Sequence, residues 1–194
     1  FENDLKAYLG GVNEIISVNT GTSALNMALS CLDIGPGDEV IVPSLTYVAS
    51  YQAIASCGAT PVSCDVDIDT GFLCSKAAEK LITKHTKAII AVDFCGHPAN
   101  LPKIKEIADK YNLKIIEDAS HSLGSTYTHK GKKHYCGDGI HADLCTYSFH
   151  PVKHITTGEG GMALTNDESL DKRLRLLRSH GIISTENLLI PQPA

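Results

Sequence analysis

The stretch 87-KAIIAVDFCGHPANLPKIKEIADKYNLKIIED-118 sets two apolar, β-branched runs on either side of a helical pattern. The runs 87-KAIIAVD-93 and 114-KIIED-118 are too uniformly apolar for strands with one wet face. They predict parallel strands covered on both sides. Between them, 102-PKIKEIADKY-111 has helical spacing. Pro102 suits its first turn, because the ring fixes φ and leaves no amide to satisfy. Strand, helix and strand in this order form one crossover unit of a parallel sheet.

The same alternation continues outward in both directions. Further strands are expected at 15-IISVN-19, 39-EVIVP-43, 60-TPVSCD-65, 142-ADLCTYS-148 and 161-GMALTN-166. Helices are expected at 22-TSALNMALSCL-32, 46-TYVASYQAIAS-56, 75-SKAAEKLI-82 and 167-DESLDKRLRLLRSH-180. The opening residues 1-FENDLKAYLGG-11 read as the end of an amphipathic helix and not as a signal peptide. The fold class is therefore α/β, a doubly wound sheet in which ligands bind beyond the carboxyl ends of the strands.

Composition narrows the partners. The 194 residues are 43% hydrophobic and 20% charged, ordinary for a soluble globular chain, and can bury one good core. A net charge of −5 argues against nucleic acid and anionic membranes. No apolar run approaches the roughly 20 residues of a membrane span. The seven cysteines are odd in number and include no C-x-x-C pair, which fits reduced thiols in the cytoplasm. His129, His134, Cys136, His141 and Cys145 crowd together, but their spacings match no zinc pattern and the stretch reads as a glycine-marked hairpin. No metal is expected.

Chemistry-bearing residues follow the carboxyl ends of five expected strands. Gly21-Thr22-Ser23 opens a helix directly after a strand, where partly positive amides can take a phosphate; the same residues would also make an ordinary cap. Glu117-Asp118 closes an apolar strand, and a carboxylate so poorly solvated calls for a cation or a donor such as a protonated ring nitrogen; the same pair would also serve as a helix cap or in a salt bridge. Tyr47 follows another strand and could stack on a ring or simply pack. In 148-SFHPVKHITTGEGG-161, Lys153 follows Phe149, Pro151 and Val152, so its amine is expected to be partly desolvated and able to attack a carbonyl. Gly158, Glu159, Gly160 and Gly161 read as a tight turn between strands, with Glu159 a candidate substrate contact. A phosphate cradle, an acid for a ring nitrogen, a stacking ring and a Schiff-base lysine are together what pyridoxal phosphate requires.

The segments 20-TGTSAL-25, 36-PGDEVIVPSLTYVAS-50, 88-AIIAVDFCGHPANL-101, 115-IIEDASHSLGS-125, 147-YSFHPVKHITTGEGGMALTND-167 and 177-LRSHG-181 resemble the DegT/DnrJ/EryC1/StrS sugar aminotransferases. The resemblance implies the large domain of a fold-type-I pyridoxal-phosphate transferase, a three-layer αβα unit with a mostly parallel mixed sheet. Residues 1–194 would be that domain alone, without the preceding segment and smaller C-terminal domain of family members. It implies Lys153 as the Schiff-base lysine and Asp118 as partner of the pyridinium nitrogen. Thr22, Ser23 and Ser148 would hold the phosphate, Tyr47 would stack on the ring, and His121 would lie near the phenolic oxygen. His154 stands where related enzymes often have proline.

The block from Ser148 to Gly161 is most similar to the nucleotide-sugar transaminases of pseudaminic acid synthesis. Those enzymes aminate C4 of a UDP-linked 4-keto-6-deoxy-N-acetylhexosamine, with glutamate as donor. The implied partners are therefore a nucleotide keto-sugar, glutamate and a second identical subunit completing the site, in the cytoplasm. Alternatives are a perosamine-type 4- or 3-keto-sugar aminotransferase, or a truncated, non-catalytic cofactor-binding module.

Overall fold

β4 (Thr86–Val92) and β5 (Lys114–Asp118) pair in parallel, Ile89 beside Ile115 and Val92 beside Asp118, with α5 (Leu101–Tyr111) crossing between them. This is the crossover unit that the opening stretch predicts. Asn100 caps α5 through the Lys103 amide, Pro102 lies in the first turn, and Asn112 ends the helix in the left-handed region at φ 54°. The structure, a computed structural model, describes residues 1–10 and 14–182. The tail 188-LLIPQPA-194 lies outside the described residues.

Before this unit come α1 (Glu2–Tyr8), β1 (Glu14–Val18), α2 (Gly21–Cys31), β2 (Glu39–Pro43), α3 (Ala49–Ser56), β3 (Thr60–Cys64) and α4 (Ser75–Leu81). After it come the hairpin β6 (Thr126–His129) and β7 (Lys132–Tyr135), then β8 (Leu144–Ser148), β9 (Gly161–Thr165) and α6 (Glu168–Arg178). The main sheet has seven strands in the order β1-β9-β8-β5-β4-β2-β3. β9 is antiparallel to both of its neighbours, and the other adjacent pairs are parallel, so β9 alone runs against the rest. The sheet is thus mixed and mostly parallel, as expected.

Both faces are covered. Ile41, Ile89, Ile115, Cys145 and Tyr147 pack into one core with Ile104 and Ala108 of α5 and Ala78 of α4. Val40, Val42, Ile90, Ile116 and Leu144 pack into the other with Ala24, Leu25, Ala28 and Leu29 of α2 and Ile54 of α3. Each isoleucine or leucine so buried contributes about 1.5–3 kcal/mol of transfer free energy. Among the described residues no helix is long and apolar enough to cross a membrane.

Two sequence expectations need correction. The helix expected from residue 46 begins at Ala49; Thr46 stays outside it and its hydroxyl pairs with that of Ser50 at 2.9 Å. Gly158–Gly161 is not a tight turn. Ser148 pairs with Gly161 across β8 and β9, so residues 149–160 form a closed loop between antiparallel neighbours. Phe149 closes its base: its amide donates to the Gly160 carbonyl at 2.9 Å, and its carbonyl accepts from the Thr157 amide at 3.0 Å.

α2 sits on β8 and β9 at very short range, and glycine makes that possible. A Cβ on Gly161 would fall 2.3 Å from the Thr20 carbonyl and 2.6 Å from the Gly21 amide nitrogen, both backbone atoms that cannot swing away. Gly161→Ala is therefore expected to destabilise the protein by about 1–3 kcal/mol. Gly35→Ala, where the new Cβ would meet only the Cys57 carbonyl at 3.7 Å, should stay within about 0.5 kcal/mol of wild type. Urea denaturation of the two variants would check the contrast.

Candidate functional site

Since β1, β2, β4, β5 and β8 share one direction, their following segments meet at one edge of the sheet. Thr22, Ser23, Asp118, His121, Ser148 and Lys153 all lie at this edge or just beyond it. Tyr47 follows β2, which lies two strands from β5 in the sheet order, or about 10 Å between strand axes. It is 70% exposed, available to a ring from outside but not packed as part of the core.

Thr20 caps α2: its Oγ1 accepts from the Ser23 amide at 3.0 Å and lies 2.9 Å from Ser23 Oγ. This leaves Gly21 and Thr22 at the first two helical positions, where an amide has no carbonyl one turn back to bond. Ser148, the last residue of β8, lies against Gly21, where a Cβ would approach Ser148 Cβ to 2.7 Å. Amides, two serine hydroxyls and a threonine thus gather where only small side chains fit. An anion is stabilised there by the helix dipole and by direct donors.

Asp118 is buried at the end of β5, and its Oδ1 accepts from the Ser120 amide at 3.1 Å. Thr146 of β8 stands beside it in register, with a buried Oγ1 that has no hydrogen-bond partner. A buried orphan hydroxyl is uncommon and costly, so its position next to a buried carboxylate marks a place suited to a polar ligand. Lys153 is half-buried, and that burial holds its amine below the usual lysine range, with the Asp118 charge pulling it back up. His121 is likewise pushed down by burial first, then by the Lys153 and His154 charges, while Asp118 opposes. The three side chains therefore act on one another across one small site.

The loop carrying Lys153 is ordered by its own bonds. The Lys153 amide donates to the His150 carbonyl at 2.9 Å, and His154 Nε2 donates to the Leu123 carbonyl at 3.0 Å. The latter contact ties the lysine loop to the segment that carries His121. Glu159 faces His150 at 3.8 Å on the exposed side of the loop. The cofactor expected from the sequence fits these residues, with small donors at the helix end, an acid beside an unsatisfied hydroxyl, and a partly desolvated amine within electrostatic reach of that acid.

Sequence reasoning sets Glu117 beside Asp118 at the end of an apolar strand without giving it a role of its own, and it leaves Asp93 unassigned. Asp93 and Glu117 are both buried on the far face of the sheet, and with Cys136 they are the one group of three or more His, Cys, Asp or Glu among the described residues whose ligand atoms all come within 4.8 Å of one another. Their signal was an acid at the end of each apolar run, 90-IAVD-93 and 114-KIIED-118. The crowd of histidines and cysteines, in which no metal is expected, divides: His134 and His141 lie against the Tyr127 ring and His129 meets His141 edge-on, whereas Cys145 bonds Glu117 in the core. A cleft of about 480 Å³ between α2 and α6 touches the site through Ser23 but holds neither Lys153 nor Asp118.

Comparisons with known proteins match nearly the whole chain. The sequence pattern described as the DegT/DnrJ/EryC1/StrS aminotransferase family matches residues 1–189. The GDP-perosamine synthase of Caulobacter vibrioides is 48% identical over 182 residues, 94% of this chain and 47% of that protein. The crystal structure of S. venezuelae DesV in complex with a ketimine intermediate superposes with a TM-score of 0.85 at 39% identity, over 93% of this chain and 47% of that one. A putative sugar aminotransferase of Streptococcus pneumoniae, Spr1654 in its PLP form, gives 0.85 at 33% identity, over 95% and 51%. The chain thus spans about half the length of the relatives it matches.

The site makes a prediction independent of any cofactor. At about pH 8 an amine-reactive reagent should label Lys153 of the cofactor-free protein faster than the exposed Lys130 and Lys132, because only the neutral amine reacts. Since the Asp118 charge raises the lysine's pKa, Asp118→Asn should speed that labelling further. Peptide mass spectrometry reads both, and slower labelling of Lys153 than of the exposed lysines would contradict the assignment.

Proposed function

This chain belongs to the DegT/DnrJ/EryC1/StrS aminotransferase family, and we propose that it is the cofactor-binding part of a pyridoxal-phosphate-dependent aminotransferase acting on a nucleotide-linked keto-sugar. The observation that carries the reading is the half-buried Lys153, presented by the closed loop between β8 and β9 within electrostatic reach of Asp118 and His121. Bound pyridoxal phosphate supplies an aldehyde to carry nitrogen and a ring that accepts electrons.

The chain's own residues do the rest. The Gly21 and Thr22 amides, with the Ser23 and Ser148 hydroxyls, hold the phosphate at the helix end. The Asp118 carboxylate holds a proton on the pyridine nitrogen, the ion pair making ring protonation favourable in a desolvated site. His121, on the same segment as Asp118, would lie near the bound ring's phenolic oxygen, and Tyr47 would stack on the ring. Lys153 Nζ would serve as the base for the donor's Cα proton and then as the acid that returns it. Glutamate gives its nitrogen in the first half-reaction and leaves as 2-oxoglutarate; the keto-sugar receives it in the second.

For the acceptor, the motif resemblance supports C4 of a UDP-linked 4-keto-6-deoxy-N-acetylhexosamine, as in pseudaminic acid synthesis. The 48% identity to a protein named GDP-perosamine synthase favours the perosamine-type 4-transaminase as the second reading. The rim of the site is apolar and open, with Leu45, Tyr47, Val48, Val152 and Ile155 exposed. Such a patch beside a half-open site suits a second subunit, so we place the active site at the interface of a cytoplasmic homodimer.

Lys153→Ala should lower transamination by at least about 10²–10⁴-fold, the range for removing a positioned acid–base group. It should also abolish borohydride-trapped cofactor at that position. Full-length protein assayed with glutamate against a panel of UDP- and GDP-linked keto-sugars would separate the two acceptors. Trapping at another lysine, or turnover surviving in Lys153→Ala, would refute the assignment.

A further inference from the structure

We propose that Asp93 and Glu117 form a one-proton acid pair that positions Asp118 and His121 from the opposite face of the sheet, Glu117 carrying the proton and Asp93 the charge. The two are among the most buried polar residues of the chain, at 0% and 1% exposure, and their carboxylate oxygens lie within 4.8 Å. Two bare charges that close in a dry interior cannot both persist, so one proton stays with the pair and the two groups titrate together.

The donors decide where the proton sits. Asp93 Oδ1 accepts from the Ala99 amide at 2.8 Å and Oδ2 from the Ser122 hydroxyl at 2.6 Å, a set that stabilises an anion. Glu117 Oε1 accepts from the Gly137 amide at 2.8 Å and Oε2 from the Cys145 thiol, a weak donor, at 3.2 Å. The groups acting on Glu117 from neighbouring elements are acids: Asp93 after β4, Cys145 and Tyr147 on β8, Tyr127 on β6, and Cys136 beyond β7. Asp138, in the same loop as Cys136, is paired with His134. Burial, reinforced by the Asp93 charge, accordingly pushes Glu117 well above the carboxylate range. Burial raises Asp93 as well, but its hydrogen bonds, the one to Glu117 included, pull it back.

The pair reaches the site through the backbone. The Asp93 amide donates to the Asp118 carbonyl at 3.1 Å, and the Ser122 hydroxyl on Asp93 fixes the turn 119–122, which separates Asp118 from His121. Glu117 precedes Asp118 on β5 and points to the other face. A misplaced pair would therefore tilt both cofactor-facing side chains at once, without touching the cofactor. Asp93, Glu117 and Cys136 could also suggest a buried metal, but protein donors already occupy both oxygens of each carboxylate.

The effect on the cofactor rests on the function proposed above; the protonation itself does not, and the tests are separable. Infrared spectra of the full-length protein at neutral pH should show the carbonyl stretch of a buried protonated carboxyl, lost in Glu117→Gln. In Asp93→Asn, where the neighbouring charge is gone, that band should titrate away at lower pH than in wild type, a comparison that holds even if Glu117→Gln folds poorly. The sign for stability follows, since a folded-state pKa above the ordinary 4.5 gives stability present below it and lost as pH rises toward the folded value. The unfolding constant of wild type relative to Glu117→Gln should therefore rise by up to tenfold per pH unit above about 4.5. Pyridoxal phosphate titrated into Glu117→Gln should bind within about twofold of wild type, and into Glu117→Ala about tenfold more weakly, the scale of one misplaced hydrogen bond. A wild-type spectrum without that band, a band unchanged in Glu117→Gln, or stoichiometric metal in the purified protein would overturn the proton assignment. Wild-type affinity in Glu117→Ala would overturn the positioning role.

Discussion

The structure depends on one close approach, the first residue of β9 against the first turn of α2. Gly161 lies so near the Thr20 carbonyl and the Gly21 amide that no side chain fits between them. This contact seats α2 with its amino terminus directly over the sheet edge and brings Ser148, the register partner of Gly161, alongside Gly21. The same pairing closes the loop of residues 149–160, so it also fixes where Lys153 emerges. Cradle and lysine are two results of one backbone constraint, which is why they need no hydrogen bond to each other to keep their relation.

β5 carries acids on both faces at its end. Asp118 faces the side of α2 and the lysine loop, and Glu117 faces the core beneath the β6–β7 hairpin, where Gly137 and Cys145 donate to it. Alternation along a strand makes this unavoidable for two successive residues. The chain resolves the electrostatic problem differently on each face, with a lysine amine nearby on one and a retained proton on the other. Burial without a cation is tolerable for Glu117 only in its neutral form.

Much of this was legible in the sequence because it is local. The apolar runs at 87–93 and 114–118 state their burial outright, and Pro102 and Asn112 mark the helix between them. Lys153 and Asp118 stood out because each interrupts an apolar context. What could not be read depends on partners distant in the chain. Asp93 finds Ser122 and Glu117 finds Cys145, separations of 29 and 28 residues, and neither spacing carries a local signal. The pairing of β9 with β1 was hidden because the two strands are separated by most of the chain and neither run specifies its neighbour. The glycines at 158–161 suggested a hairpin turn, as glycine usually does between strands, whereas the pairing of Ser148 with Gly161 assigns them to the end of a longer loop.

The strand order has a consequence for how such a chain comes into being on the ribosome. β1 lies at the sheet edge with β9 as its neighbour, although the two are separated by most of the chain. During synthesis β1 and the helix after it wait without β9 until residues 161–165 emerge. The crossover units of the middle can assemble earlier from contacts close in sequence, since nearby segments close their loops at less entropic cost. The anion cradle we propose would consequently be among the last features to form, after the lysine loop itself has been made.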